Sequence, residues 1–211
     1  MRSQHSLLKR LAIAGPALAI AGVVTRPYVP NFLDRAAIAD LATAGSTRWV
    51  AATVLLASGM ALSAVALGLI ARAIAARTGQ RSGQWVMPAA VLAASAMAYQ
   101  FGASGIGVYG TATSGGDIAR FLTYAAGWET PAYIMAVAIL GVAVISAAWA
   151  STAAGIVNGR WATVAKIAAV VTAGGFLLPS SAGEYLSVIA LAVLLRILVL
   201  AIDREPASAT P

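Results

Sequence analysis

Apolar residues fall in six blocks along the chain, at about 7–24, 49–71, 85–101, 131–150, 161–178 and 185–202. Each is close to the ~20 residues that a helix needs to cross a bilayer. The pattern predicts an all-α fold, a polytopic integral membrane helical bundle of six transmembrane helices. One membrane domain is expected over 1–205, with a disordered tail at 206–211. No segment of about ten residues alternates apolar with polar, so a transmembrane β-barrel is excluded. The first block also fits a secretory signal, with Arg2, Lys9 and Arg10 ahead of a run holding Ala17 and Ala19. Pro16 in mid-block and the length of the run favour a retained helix.

Two connections carry a helical pattern of their own. After Pro27 and Pro30, residues 33–42 place Leu33, Ala37, Ile38 and Leu41 on one face. In the other, Gly115-Gly116-Asp117 opens and Gly127 closes a segment in which Ile118, Phe121, Leu122 and Ala125 recur at helical spacing. Asp117 serves as its N-cap and Gly127 as its terminator, and Thr130-Pro131 restarts a helix with Thr as the cap. Both segments read as short interfacial helices on the outer side.

Orientation follows from the basic residues. Arg2, Lys9 and Arg10 precede the first span, Arg72, Arg77 and Arg81 flank the second connection, Arg160 and Lys166 follow the fourth, and Arg204 closes the last. The alternate connections mix Arg26, Arg35, Arg48 and Arg120 with acids. Cytoplasmic loops retain Lys and Arg, so both termini are expected in the cytoplasm, with the protein multi-pass in the cell inner (plasma) membrane. The five Trp, at 49, 85, 128, 149 and 161, all fall at span ends, as ring side chains at headgroup level do. Ala90, Ala94, Ala98 and Gly102 form a small-residue row along the third span, and Gly59 and Ser63 do so in the second. Such rows permit close helix packing, and secondarily a protein partner through the same faces.

Composition narrows the chemistry. Hydrophobic residues make up 60% and charged residues 10%, against about a quarter charged in soluble domains. The net charge of +7 is scattered among apolar blocks and forms no stripe, so nucleic acid is not a partner. Cys is absent and His occurs once, at His5, which excludes thiolate chemistry and polyhistidine metal sites; no metal or cofactor is expected. No phosphate-binding loop, zinc-protease pair or nucleophile elbow occurs. Gly102, Gly105, Gly107 and Gly110 read as a bend at the end of the third span.

The acids are unevenly placed: Asp34, Asp40, Asp117, Glu129 and Glu184 map to the outer side, and only Asp203 and Glu205 map inside. With Arg35 and Arg120 they make candidate ligand-binding residues (Asp34, Arg35, Asp40, Asp117, Arg120, Glu129), and Asp40, Glu129 and Glu184 are the candidate catalytic acids. Structural readings stand beside these. Ser181 three residues before Glu184 matches a capping box, Asp117 is an N-cap, and Asp34 and Arg35 fit a solvated surface. Within the spans, Lys166 and Arg196 fit side chains snorkelling to the headgroups, with a buried pair as the alternative for Arg196.

Gly15-Pro16-Ala17-Leu18, Arg26-Pro27-Tyr28, Ile38-Ala39-Asp40-Leu41-Ala42, Trp49 and Gly59, with Gly183-Glu184 opening the last span, form a family pattern. It resembles the bacterial six-helix membrane proteins of domain-of-unknown-function family nine-nine-eight, and more distantly the Frag1/DRAM/Sfk1 type. The chain departs from that pattern at Ala39, where a Ser is expected, and near the fourth span, where a His is expected. The resemblance implies the six-helix fold and is nearly silent on function. Two function classes follow from the residues: a non-enzymatic protein that binds a membrane lipid or isoprenoid in an outer cleft, or serves as a small subunit of a membrane assembly, and a membrane-embedded acid/base enzyme of the terpene cyclase or isomerase type. A channel ranks last, because the spans hold no polar stripe.

Overall fold

The computed structural model describes residues 2–78 and 86–204. Among them every regular element is a helix: α1 (Arg2–Thr25), α2 (Arg35–Ala44), α3 (Ser46–Thr78), α4 (Val86–Thr113), α5 (Ile118–Ala153), α6 (Arg160–Gly175) and α7 (Ser181–Arg204). The tail at 206–211, Trp85 and Arg81 lie outside the described residues.

Helix neighbours follow chain order: α1 packs on α3, α3 on α4, α4 on α5, α5 on α6, α6 on α7, and α7 returns to α1. The six long helices therefore close into an antiparallel ring. One end carries α2, the α4–α5 turn and the α6–α7 turn, and the other carries both termini. Four helical stretches, Ser6–Thr25, Ser46–Ala76, Glu129–Ala153 and Ser181–Asp203, are long and apolar enough to cross a bilayer, the pattern of a multi-pass membrane protein. Their core is a continuous cluster of Leu, Ile, Val, Ala and Met, with large residues such as Leu67, Met97 and Leu194 fully buried.

Small residues set the helix spacing. A Cβ on Gly22 of α1 would stand 2.5 Å from the Leu56 backbone nitrogen, and one on Gly15 2.7 Å from that of Ser63. Where no hydrophobic effect pulls helices together in lipid, such close approach lets dispersion do so. Gly59 and Ser63 thus act in the packing of α1 on α3. Ala90 and Ala94 are buried in the core, while the burial of Ala98 and Gly102 lies outside what is described.

Several boundaries differ from the sequence pattern. The segment from Ile118 does not end at Gly127: α5 runs unbroken to Ala153 with Pro131 inside it. Only α2 is a separate short helix among the described residues. Pro131 lacks the N–H that would bond the Gly127 carbonyl, so the helix passes through with one backbone hydrogen bond missing. Asp117 does cap the helix, accepting the Arg120 backbone N–H at 3.0 Å. Gly115, at φ 72°, gives the left-handed residue that ends α4, and Gly116 N–H then reaches back to the Thr111 carbonyl at 2.8 Å. α4 itself continues well past Phe101; Gly105 and Gly107 sit against Thr53 and Phe121, where a side chain would collide, so these glycines serve packing within a continuous helix. α6 stops at Gly175 rather than Leu178.

α2 lies against α5 and buries Ile38, Ala39 and Ala42, a face rotated from the one expected; Leu33 precedes the helix and is exposed. These residues join Val29, Trp49, Val108, Ile118 and Leu122 in a second, smaller core that roofs this end of the ring.

Candidate functional site

The segment between α1 and α2 is strapped to the turn between α6 and α7. Phe32 N–H donates to the Pro179 carbonyl (2.7 Å), Ser181 N–H to the Val29 carbonyl (2.9 Å), and Val29 N–H to the Ser181 hydroxyl (2.9 Å). Tyr185 hydroxyl donates to the Val23 carbonyl (3.1 Å). The strap brings Arg26, just beyond the last turn of α1, against Glu184 in the first turn of α7. They form an ion pair in which both residues are buried, Arg26 7% and Glu184 3% exposed. The Arg26 guanidinium also lies 4.8 Å from the Phe32 ring centre and 5.8 Å from that of Trp49, within cation–π range. Burial pulls its pKa down to about 10, so it stays protonated at neutral pH.

Beneath this pair is a cavity of about 360 Å³. Apolar and aromatic side chains wall it: Phe32, Ile38, Phe101, Leu122, Ile134 and Phe176. The charged and aromatic polar groups of the lining are Arg26, Arg35, Trp49, Glu129, Tyr133 and Glu184, joined by the hydroxyls of Thr53, Ser104 and Thr130. Tyr133 hydroxyl is engaged, donating to the Phe176 carbonyl at 2.9 Å and tying α5 to the end of α6. Apart from the two atoms that meet in the ion pair, three buried polar atoms of the lining have no hydrogen-bond partner among the described residues: Arg26 Nε, Trp49 Nε1 and Glu129 Oε1. Glu129 is 7% exposed and lies two residues before Pro131 in the continuous helix α5, so that its side chain and Thr130 face the cavity.

Of the sequence candidates, Arg35, Glu129 and Glu184 meet in this lining. Asp34, Asp40, Asp117 and Arg120 are exposed and do not line it. Asp34 caps α2, accepting the Ala37 N–H at 3.0 Å. The expected capping box at Ser181 and Glu184 does not form. α7 starts at Ser181, so the cap is Ser180, whose hydroxyl accepts the Gly183 N–H at 3.3 Å, and Glu184 turns to Arg26 instead. Arg196 is exposed on the bundle surface, which removes the buried-pair reading, and Lys166 lies 5.3 Å from the Trp149 ring centre.

Sequence reasoning missed Arg26, Trp49, Phe32 and Tyr133. Arg26 was one of several outer-side arginines, and Trp49 matched the interfacial belt, yet its ring is buried over the guanidinium. A lone Arg directly after an apolar span, with a lone Glu at the start of another, was the available signal.

No protein-family model matches the chain, and no curated protein and no solved structure matches it. No group of three or more His, Cys, Asp or Glu among the described residues is placed to hold a metal ion. What the lining offers is an apolar chamber with a few buried polar atoms, the composition of a small-molecule site.

Proposed function

We propose that this protein is an integral membrane protein that binds a lipid or other amphiphile in the cavity at the α2 end, with six spans, cytoplasmic termini and the cavity on the outer side. The observation that carries the reading is the set of buried, unpartnered polar atoms at Arg26, Trp49 and Glu129 inside an otherwise apolar chamber. Burying a polar group without a partner costs about 1–3 kcal/mol. A bound polar head would remove that cost while its chain covers the apolar wall. The uneven arginine distribution supports the orientation, and the motif resemblance to the six-helix family supports the number of spans.

A second reading rests on Glu129 alone. A buried carboxyl in a water-poor apolar chamber is the equipment of an acid/base enzyme acting on an isoprenoid or lipid. The reading requires chemical turnover of a bound lipid that Glu129→Gln abolishes; unchanged product formation in that variant removes it.

The test is native mass spectrometry of the full-length protein extracted gently from its membrane. A lipid of defined mass is expected on the wild type and is expected to be lost in Ser104→Trp, which fills the cavity from its wall. A wild type that carries no lipid and takes up none on addition refutes the proposal.

A further inference from the structure

The formal charges of the residues that line the cavity cancel. Arg26 is paired with Glu184, and Arg35 and Glu129 contribute one charge of each sign. A head group bringing a net charge would leave one charge uncompensated in a mostly apolar chamber, which is costly. What the lining lacks is hydrogen bonding: two N–H groups, on Arg26 and Trp49, seek an acceptor, and a Glu129 oxygen stands without a partner among the described residues. A hydroxyl answers both needs, since one oxygen accepts and donates.

The walls also show a way in. Leu33, Ile134, Leu177 and Leu178 line the cavity and are each at least half exposed. Ile134 lies near the start of the α5 span, and Leu177 and Leu178 follow the end of its neighbour α6. These residues form an apolar threshold at the side of the bundle, between α5 and the α6–α7 turn, with the Tyr133 to Phe176 hydrogen bond tying its two sides. The exposed part of the lining is mostly apolar, with Thr130 as its exposed hydroxyl, which suits a chain arriving from lipid. The volume is at the small end of ligand cavities, about 300–1,000 Å³, so it suits a head with the first part of a chain and leaves the remainder in the threshold.

Building on the amphiphile-binding reading, we infer that the ligand is a single-chain amphiphile with an uncharged hydroxyl head, admitted sideways from the bilayer between α5 and the α6–α7 turn. Arg26 Nε and Trp49 Nε1 donate to the hydroxyl oxygen, and the hydroxyl donates to Glu129.

The experiment compares four probes of equal chain length on the purified full chain by native mass spectrometry at neutral pH: hexadecanol, hexadecanoate, hexadecyl phosphate and hexadecyltrimethylammonium. Hexadecanol is expected to bind about tenfold or more tightly than each charged probe. Glu129→Gln, which keeps an acceptor, is expected to hold hexadecanol within about threefold, whereas Glu129→Leu and Trp49→Phe each lose about tenfold. Trp49→Phe keeps the ring against Arg26, so it reports the lost donor even where Glu129→Leu fails to fold. Binding of a charged probe as tight as hexadecanol overturns this inference and leaves the amphiphile reading standing; binding of none of the four overturns both. For the route, the absence of cysteine permits single labels. A bulky maleimide on Ile134→Cys is expected to slow uptake of hexadecanol from vesicles at least about fivefold, and the same label on Val142→Cys, exposed further along α5, to leave it unchanged. Equal uptake by the two labelled proteins overturns the lateral route.

Discussion

Replacing Glu184 by Gln changes little in size and leaves the Arg26 guanidinium charged, buried and without its counter-ion. Breaking a buried pair from one side costs about 3–5 kcal/mol, because the remaining charge is no longer compensated. The amide oxygen of Gln can still accept from the guanidinium, which returns about 1.5 kcal/mol. The aromatic rings of Phe32 and Trp49 are in place before and after, so they do not enter the difference. The net loss is about 1.5–3.5 kcal/mol, or roughly 10- to 400-fold in the unfolding equilibrium. Titration of the purified protein with SDS in mixed micelles, followed by Trp fluorescence, reads this as an earlier midpoint. Arg26→Met combined with Glu184→Leu removes both charges and restores an apolar fit. The double variant is expected to be more stable than Glu184→Leu alone, with a coupling of at least about 1.5 kcal/mol. Single variants within about 0.5 kcal/mol of wild type, or a double whose loss equals the sum of the singles, would refute the reasoning.

The strap gives a separate expectation: Ser181→Ala leaves the buried Val29 N–H without its acceptor and should cost about 1–3 kcal/mol in the same titration, whereas Ser180→Ala, which removes an N-cap, should cost about 1 kcal/mol. On α1, Gly22→Leu drives a side chain into the Leu56 backbone and should destabilise by about 1–3 kcal/mol or more, because backbone atoms of a packed helix cannot move aside as a flexible side chain would. Asp203→Asn, at the partly exposed Lys9 pair, should move stability by less than about 1 kcal/mol in that titration. Orientation is checked by single cysteines in intact cells: an impermeant maleimide should reach Ser114→Cys at the α4–α5 turn directly, and Asn158→Cys at the α5–α6 turn only after permeabilisation.

What the sequence makes legible here is whatever depends on residues close in the chain. Helix positions follow from apolar runs, the cap at Asp117 and the packing at Gly59 and Ser63 from short spacings, and each of these appears in the fold. Ends were less legible where two local rules competed. Gly127 and Pro131 each terminate helices in water, yet α5 passes through both, because in an apolar setting a broken helix would leave several carbonyls and N–H groups unpaired and a continuous one leaves only the carbonyl that proline cannot serve. At the other end of the same reasoning, Ser181 and Glu184 satisfy a capping box only if the helix begins one residue later than it does.

The cavity belongs to a different order of information. Arg26 and Glu184 lie near opposite ends of the chain, and nothing in either neighbourhood specifies the other; they meet because α7 closes the ring against α1 and the strap at Val29 and Ser181 fixes the register of that closure. The same closure explains the composition of the lining. A membrane protein can bury an arginine only with a partner, so once Arg26 is turned inward, a carboxylate must stand opposite it. That requirement accounts for Glu184 but not for Glu129, whose oxygen has no partner among the described residues, nor for the unused N–H of Trp49. Structural need therefore explains the ion pair, and the atoms it leaves unpartnered, on Arg26, Trp49 and Glu129, are the ones that point to a bound head group.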